Sequence, residues 1–420
     1  MDFKKTEQYD AVIIGAGQSG VPLALYLAGE GKKTALVERK LVGGTCVNWG
    51  CTPTKTLVGS AQTAWRAKNS EKWGIKTSGV DTAMQQVTER KNAIVSESRK
   101  KIHSSLENQE NLHFVAGEAS FVNDLTVEIK HNENGTRWIK APDIFIDTGS
   151  TAVIPDIPGL QETTCLTSTS ILDLTEVPAH LLVIGGGYIG VEFAQTYRRL
   201  GAEVTMLEAG DRLLAREDED ISQEMEQLLA SENIEIKKGV KLKKASEKGE
   251  KAIELQFEDA EGNSHSLGGS HLLIATGRKP NTDKLNLEAT HLHTNDKGYI
   301  NVNQKLQTLT HGIYAMGDVT GNPPFTHYSY DDFRIIKDVL AGGDNRSTDD
   351  RLLCYTIFTS PQLGRVGLNE QMAKQKDIPY KVYKMPMSSC ARAYEAGETR
   401  GVMKVLADPE TEKILGASIL

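Results

Sequence analysis

Short apolar runs alternate with longer amphipathic stretches along most of the chain. AVII at residues 11–14 and LLVI at 181–184 are each followed by a glycine-rich segment and then by a helical pattern. A strand that leads into a helix and then into another strand is typical of α/β folds with parallel sheets. The later runs LHFVAGEA, TVEIK, DIFIDTG, IEIKKGV, AIELQFED and HLLIATG predict further strands. We therefore expect two α/β units.

Two other patterns complete the expected architecture. Residues 81–107 carry apolar side chains at near-helical spacing and predict one long amphipathic helix. From about Arg351 the character changes, and the chain ends in GVMKVLAD, the turn-like PETEK and ILGASIL, which predict a hairpin in a third, smaller domain. Because ILGASIL has the composition of a buried strand that needs further pairing, we expect the chain to be incomplete.

The two glycine-rich segments share one spacing. YDAVIIGAGQSG returns as HLLVIGGGYIG, and in each case a second strand ends in an acidic residue eighteen positions after the last glycine. Glycines at this spacing allow a tight turn and a close backbone approach to a pyrophosphate, and the acidic residue accepts from a ribose. Solvated strand-end charges are the less favoured alternative, since both recur at one offset. The residues are Gly15, Gly17, Gly20 and Glu38 in the first segment, and Gly185, Gly187, Gly190 and Glu208 in the second.

Glu208 also bears on the choice of nicotinamide cofactor. A carboxylate that faces the 2′ position repels the extra phosphate of NADP, whereas an arginine there would bind it. The sequence therefore predicts that the protein binds a nicotinamide coenzyme and prefers NAD(H) over NADP(H).

The segment GGTCVNWGCTPTK, residues 43–55, contains Cys46 and Cys51. Five residues of helix rise about 7.5 Å, which exceeds the usual disulfide Cα separation of about 4.4–6.8 Å, so we expect a bend favoured by Gly50 and Pro53. A helix N-terminus and the nearby Lys55 favour a thiolate. Zinc ligation is disfavoured because no second ligand pair at zinc spacing lies nearby, and we expect no metal site. A redox-active cysteine pair is predicted.

Composition and charge limit the classes of partner that the protein is expected to bind. A net charge of -8 and a pI near 5.8 leave no basic excess to neutralise phosphates, so we expect no nucleic-acid partner. No stretch approaches the roughly 20 apolar residues of a membrane helix, and no export signal precedes the first strand. We expect a cytoplasmic protein with no membrane partner.

Together these motifs resemble the class I pyridine nucleotide-disulfide oxidoreductases, the family of dihydrolipoamide dehydrogenase, glutathione reductase and mercuric reductase. The specific marks are GGTCVNWGCTPTK, GGGYIGVE, ATGRKPNTD at 275–283 and THGIYAMGD at 310–318. The resemblance implies an α/β fold with two Rossmann-like dinucleotide-binding domains, one for FAD and one for NAD, and a partial α+β dimerisation domain. The implied domains are 1–150 and 280–345 for FAD, 151–279 for NAD, and 346–420 for an incomplete dimerisation domain.

The same resemblance implies roles for individual residues. Cys46 would be the interchange thiol that meets substrate, and Cys51 the thiol that faces the flavin. Lys55 and Glu192 would form an ion pair beside the flavin, and Tyr188 would be the aromatic gate over the nicotinamide. Other cofactor contacts would come from Asp318 at the flavin ribitol and from Gly44, Thr45, Gly117, Thr148, Gly149 and Gly277.

The implied activity passes electrons from NADH through FAD to the Cys46–Cys51 disulfide and on to a small disulfide or dithiol, as in dihydrolipoamide dehydrogenase. Metal-ion reduction of the mercuric reductase type and a truncated, non-catalytic binding module are the alternatives. Relatives form homodimers in which a His-Pro motif and a downstream Glu reach the partner's disulfide, and these 420 residues lack that motif. We therefore expect a weakened homodimer and impaired turnover, with His327 a poor replacement for the missing base.

Overall fold

A computed structural model describes residues 6–131, 135–249 and 252–420. The helices are α1 (Gly20–Gly29), α2 (Gly44–Trp49), α3 (Cys51–Lys68), α4 (Met84–Glu107), α5 (Tyr188–Leu200), α6 (Glu219–Ser231), α7 (Thr326–Leu340), α8 (Glu370–Gln375) and α9 (Ala391–Glu395). The strands up to the middle of the chain are β1 (Glu7–Gln8), β2 (Ala11–Ile14), β3 (Thr34–Glu38), β4 (Leu112–Ala116), β5 (Glu118–Asn123), β6 (Thr126–His131), β7 (Gly135–Lys140), β8 (Asp143–Ile146), β9 (Ser150–Ala152), β10 (His180–Ile184) and β11 (Glu203–Leu207). The later strands are β12 (Glu235–Lys237), β13 (Lys241–Glu247), β14 (Ile253–Glu258), β15 (Ser264–Gly269), β16 (His271–Ile274), β17 (Arg278–Pro280), β18 (Ile313–Ala315), β19 (Cys354–Ile357), β20 (Leu363–Gly367), β21 (Lys381–Pro386), β22 (Val402–Ala407) and β23 (Ile414–Ile419).

The chain divides into two units. The first contains Met1–Pro53, Asn92–Thr151 and Arg278–Arg351, and the second contains Thr54–Lys91, Ala152–Gly277 and Leu352–Leu420. Both units are α/β in construction, which confirms the predicted fold class.

The first unit is built on a five-stranded parallel sheet in the order β18-β8-β2-β3-β4. One face packs against α1 and α7 through residues such as Leu23 and Ile335. The other face packs against the four-stranded sheet β1-β7-β6-β5, with Phe121 and Ile139 in the core. Because both faces of the parallel sheet are covered, all four residues of β2 are buried, and the strand has a continuous apolar sequence.

The described residues of the second unit form three sheets. A parallel sheet has the order β12-β11-β10-β16, and a three-stranded antiparallel sheet has the order β13-β14-β15. The third is a five-stranded antiparallel sheet in the order β19-β20-β23-β22-β21. Its β22 and β23 pair antiparallel, which confirms the hairpin predicted at the end of the chain.

The structure contains the predicted long helix and the predicted bend between Cys46 and Cys51. The long helix predicted over residues 81–107 is α4, which starts at Met84, and the hydroxyl of Thr82, two residues earlier, donates to the carbonyl of Leu200 at 2.7 Å. The predicted bend lies at Gly50, between α2 and α3, with φ −133° and ψ −113°. Pro53 lies within the first turn of α3, where its missing N–H costs no helical hydrogen bond. No helix in the described ranges is both long and apolar enough to span a membrane.

A buried carboxylate lies beneath the first glycine-rich loop. Asp147 follows β8, and its Oδ2 accepts a hydrogen bond from the backbone N–H of Gly20 at 2.8 Å. Burial raises the pKa of Asp147 well above its usual range, and the charges of Asp318 and Asp332 raise it further. The single hydrogen bond from Gly20 acts in the opposite direction. The folded protein therefore favours the protonated form of this carboxyl group.

Asp147→Asn should stabilise the protein at neutral pH. A carboxyl group whose pKa is raised by folding contributes full stability only below its unfolded pKa of about 3.9, and that contribution is lost as pH rises toward the folded pKa. Since asparagine cannot ionise, we expect a gain of about 1–3 kcal/mol in the free energy of unfolding at pH 7 and little difference near pH 3. Denaturant unfolding across this pH range measures the effect. Asp10→Asn, at an exposed carboxylate that accepts from Lys33 N, is the control and should show no such gain.

Candidate active site

The two predicted redox cysteines lie side by side in the first unit. Cys46 is in α2 and Cys51 is the first residue of α3, and across the turn at Gly50 their thiols are in hydrogen-bonding contact. A hydrogen bond with Cys51, burial and the charge of Cys51, in that order, raise the pKa of the Cys46 thiol. The contact with Cys51 therefore disfavours the thiolate form of Cys46.

Thr326 adds a hydroxyl to this pair. As the first residue of α7, it places its Oγ1 3.0 Å from the Cys51 Sγ. A threonine hydroxyl can donate to a thiolate. A hydrogen bond with Thr326 also acts on Cys46, where it lowers the pKa of the thiol. The neighbouring His327 packs its ring against Phe325, with centroids 5.7 Å apart, and against Tyr328 at 4.8 Å.

The two glycine-rich loops have the same backbone geometry. Gly15 and Gly185, the first glycine of each loop, have φ of +110° and +108°, a region that strongly favours glycine. Gly20 and Gly190, the last of each loop, approach the carbonyl oxygen of that first glycine so closely that a Cβ would overlap with it. Gly187 has open space where a Cβ would stand, which suits a ligand that approaches the backbone. The sequence repeat is therefore also a structural repeat.

The two acidic residues after these loops are held in the same way. Each carboxylate accepts one hydrogen bond from the residue after the first glycine and another from the residue two positions beyond itself. The donors are Ala16 N and Lys40 N to Glu38, at 3.0 and 2.7 Å, and Gly186 N and Gly210 N to Glu208, at 2.5 and 2.7 Å. Each carboxylate is thus fixed beside its glycine loop, where a dinucleotide ribose would lie.

The first unit has polar atoms that suit FAD. The buried hydroxyls of Ser19 and Thr148 have no hydrogen-bond partner among the described residues, although each lies beside the first glycine loop or the strand end next to it. Asp318 accepts from Ser150 Oγ at 2.5 Å, and Ser150 Oγ accepts from Arg278 Nε at 2.8 Å. These donors and acceptors fit a ligand with phosphates and hydroxyls, and Ser19, Thr148 and Asp318 would hold it.

The remaining predicted cofactor residues lie at turns. Thr45 is exposed in the first turn of α2. Gly44 packs closely against the first glycine loop, since a Cβ there would lie 2.9 Å from Gly17 Cα. The other three predicted glycines form backbone hydrogen bonds: Gly117 N donates to Glu38 O at 2.9 Å, Gly149 O accepts from Asn281 N at 2.9 Å, and Gly277 O accepts from Val153 N at 3.0 Å.

The second unit brings Lys55 and Glu192 together. Lys55 Nζ on α3 lies 2.9 Å from Glu192 Oε2 on α5. The other carboxylate oxygen of Glu192 accepts from the backbone N–H of Phe358 at 2.7 Å, and Lys55 Nζ lies 4.5 Å from the centre of the Phe358 ring. Glu192 is only 9% exposed and Lys55 is 32% exposed, so the carboxylate is fixed while the ammonium remains accessible.

Tyr188, the first residue of α5, is held by its hydroxyl. That oxygen lies 2.9 Å from the Tyr355 hydroxyl and 3.1 Å from Glu217 Oε1. Burial, followed by the charge of Glu217, raises the pKa of Tyr188 to about 12. Tyr188 therefore remains a neutral hydrogen-bonding phenol at physiological pH.

Sequence reasoning did not find several of the residues described above. Thr326 is 275 residues from Cys51, and the same distance problem applies to Tyr355 and Glu217, so no local pattern signals them. Asp147 did have a signal, because DIFID is a buried strand that ends in an acid immediately before Thr148 and Gly149.

Comparisons with known proteins agree with this geometry. The family described as pyridine nucleotide-disulphide oxidoreductase matches residues 9–332, and the dimerisation domain of that family matches residues 353–420. The chain is 38% identical over 417 residues to the probable pyridine nucleotide-disulfide oxidoreductase RclA of Escherichia coli, covering 98% of this chain and 89% of that protein. It is 37% identical over 420 residues to a mercuric reductase of Staphylococcus aureus, covering 100% and 76%.

Two further comparisons extend the relationship. The chain is 32% identical over 424 residues to the dihydrolipoyl dehydrogenase of Bacillus subtilis, covering 98% of this chain and 88% of that protein. A solved structure described as the Cu(II) complex of the HOCl-induced flavoprotein disulfide reductase RclA from Escherichia coli matches with a TM-score of 0.89 at 37% identity, covering 99% and 90% of the two chains. From the paired cysteines, the repeated glycine loops and these matches, we conclude that the chain belongs to the pyridine nucleotide-disulphide oxidoreductase family and is a flavoprotein enzyme of that family.

Proposed function

We propose that this enzyme carries two electrons from NADH through FAD to a disulfide formed by Cys46 and Cys51, and from the resulting dithiol to a small disulfide substrate. The observation that carries the proposal is the contact between the two thiols across the turn at Gly50, which together with burial raises the pKa of the Cys46 thiol. In the balanced reaction NADH and one proton supply two electrons and two protons, and the substrate disulfide becomes two thiols.

The chain's own residues have distinct tasks in this reaction. When bound, FAD accepts a hydride and passes on an electron pair. Cys51 bears the thiolate, and Thr326 stabilises it through a hydrogen bond. Cys46 attacks the substrate disulfide and forms the transient mixed disulfide, which Cys51 then resolves. The Lys55 ammonium, oriented by Glu192, would stabilise negative charge on a reduced flavin bound beside it.

Reduction of a metal ion is the second candidate function. Two observations support it: the 37% identity to a mercuric reductase, and the similarity to a structure described as a Cu(II) complex. If a metal ion is the substrate, the reduced pair Cys46 and Cys51 would bind this soft ion through thiolate sulfur. A non-catalytic binding module remains as a third alternative, in which NADH would reduce only dyes or oxygen, and slowly.

Steady-state NADH oxidation separates these functions. We expect turnover with lipoamide or another small disulfide, and its loss in both Cys46→Ser and Cys51→Ser, because each variant removes one sulfur of the exchanging pair. Both variants should still reduce an artificial dye, since dye reduction needs only coenzyme and flavin. Turnover with Hg(II) or Cu(II) and none with disulfides would favour the metal-ion function, and dye reduction alone in the unmodified enzyme would contradict both.

We also propose that the enzyme is a homodimer. The match to the dimerisation domain covers the third sheet, and the cross-strand pairs Met385–Met403–Ile419 form an apolar row on one of its faces. Tyr383 on the same strand as Met385 continues this face and is 52% exposed. An apolar sheet face of this kind suits burial against a second copy.

Thr326→Val should make the Cys51 thiolate harder to form. The substitution keeps the shape of the side chain but removes the hydroxyl that lies 3.0 Å from Sγ. A hydrogen bond to a charged group is worth about 1.5–3 kcal/mol, so the pKa of the thiolate should rise by about one to two units. Titrating the thiolate-to-flavin absorbance band of the two-electron-reduced enzyme against pH measures this shift. An unchanged midpoint would mean that Thr326 does not stabilise the charge.

Glu208→Gln should weaken the preference for NADH over NADPH. The variant keeps the side-chain size and an oxygen acceptor for the neighbouring N–H groups, but it removes the charge that repels a 2′-phosphate. We expect the ratio of kcat/KM for NADH to that for NADPH to fall by about tenfold, or about 1.4 kcal/mol. Glu38→Gln, which changes the matching carboxylate of the first unit, is the control. An equal fall in both variants would contradict this assignment of Glu208.

A further inference from the structure

Four side chains of the second unit form one hydrogen-bonded group, which we call the tyrosine cluster: Tyr188, Glu217, Tyr355 and Arg365. The Tyr355 hydroxyl donates to Glu217 Oε1 and accepts from Arg365 Nη1 at 2.9 Å. Arg365 Nη1 also lies 3.4 Å from Glu217 Oε2. Since Glu217 is fully buried and Arg365 is 2% exposed, their charges are compensated within the cluster.

The base of the cluster is positioned by regular structure. Tyr355 on β19 and Arg365 on β20 are directly opposite each other in the antiparallel register. Arg365 Nη1 donates in addition to the carbonyl of Arg216 at 3.0 Å, next to Glu217 in sequence. Three members, Glu217, Tyr355 and Arg365, are therefore held independently of Tyr188.

Tyr188 can leave the tyrosine cluster without breaking the hydrogen bonds among the other three members. Its single hydroxyl proton is donated either to the Tyr355 oxygen at 2.9 Å or to Glu217 Oε1 at 3.1 Å. When Tyr188 moves away, Tyr355 still donates to Glu217 and still accepts from Arg365, so no buried charge loses its partner. The cluster is thus a fixed base with one releasable side chain.

The cluster adjoins the second glycine loop. Tyr188 directly follows Gly185–Gly187 at the start of α5, where a dinucleotide would bind. The segment from Glu208 to Glu217 begins at the predicted ribose carboxylate and ends at the cluster, and Leu214 N within it donates to Gly186 O at 2.9 Å. The rings of Tyr188 and Tyr355 also contact each other, with centroids 5.2 Å apart.

We propose that Tyr355, with Glu217 and Arg365, latches Tyr188 by its hydroxyl and that releasing this latch is a step in binding the nicotinamide ring. The inference rests on the proposed function, because it assumes that NADH is the reductant. Tyr355 is a positioning residue in this scheme, since it acts on the coenzyme only through Tyr188. The latch lowers the population of the binding-competent conformation, and the apparent affinity for NADH falls by the same fraction.

Anaerobic stopped-flow reduction of the FAD-loaded enzyme by NADH tests the latch. Tyr355→Phe and Tyr188→Phe each keep the ring but remove a hydroxyl of the latch. We expect each to lower the apparent Kd for NADH by about threefold to tenfold, and we expect Tyr355→Phe to change the limiting rate of flavin reduction less than twofold. The double variant should show no greater change than the larger single one, because both substitutions break the same contact. Tyr380→Phe, which removes a tyrosine–carboxylate hydrogen bond to Glu370, is the matched control and should leave both parameters unchanged.

The outcomes are distinguishable. An unchanged or raised Kd for NADH in both single variants, or additive effects in the double variant, would overturn the latch while leaving the proposed function intact. If NADH failed to reduce the flavin of the unmodified enzyme, the proposed function would fail and the latch with it. Should Tyr355→Phe fold poorly, Tyr188→Phe gives the same comparison without disturbing the buried base.

Discussion

The turn at Gly50 places Cys46 beside Cys51, and the chemistry proposed for this enzyme depends on that contact. A continuous helix through the segment would separate the two Cα atoms by about 7.5 Å, too far for a disulfide. Ending α2 at Trp49 and starting α3 at Cys51 removes that obstacle and also puts Cys51 at a helix N-terminus. The turn therefore makes the disulfide possible and favours charge on one particular sulfur.

The glycine loops of the two units have the same geometry, but they differ in the residue that lies beneath the loop. Both have a first glycine with φ near +110°, a last glycine packed on its carbonyl and a carboxylate held by two backbone N–H groups. At the strand end beneath the loop, however, the first unit has Asp147 before Thr148 and Gly149, whereas the second has Ala275 before Thr276 and Gly277. A buried carboxyl group thus lies beneath one loop and a methyl group beneath the other.

The sequence predicted those parts of the molecule that depend on local pattern. The buried strands β2 and β10, the glycine loops, the bend at Gly50 and the terminal hairpin all follow from spacing and composition within short segments. The contact of Lys55 with Glu192 came from the family resemblance, and the structure places the pair 2.9 Å apart. Thr326, Tyr355 and Arg365 could not be predicted, because their roles arise only when α7 folds within the first unit, and β19 and β20 within the second, against parts of the same unit that are distant in sequence.

The central claim is that electrons pass from flavin to the pair Cys46 and Cys51, and an anaerobic NADH titration of the FAD-loaded enzyme tests it most directly. The account predicts a long-wavelength absorbance band between the Cys51 thiolate and oxidised flavin after two electrons have been added. The band should be absent in Cys51→Ser and present without any reductant in Cys46→Ser, where Cys51 cannot form the disulfide. Loss of flavin colour with no such band in the unmodified enzyme would contradict the proposed electron path.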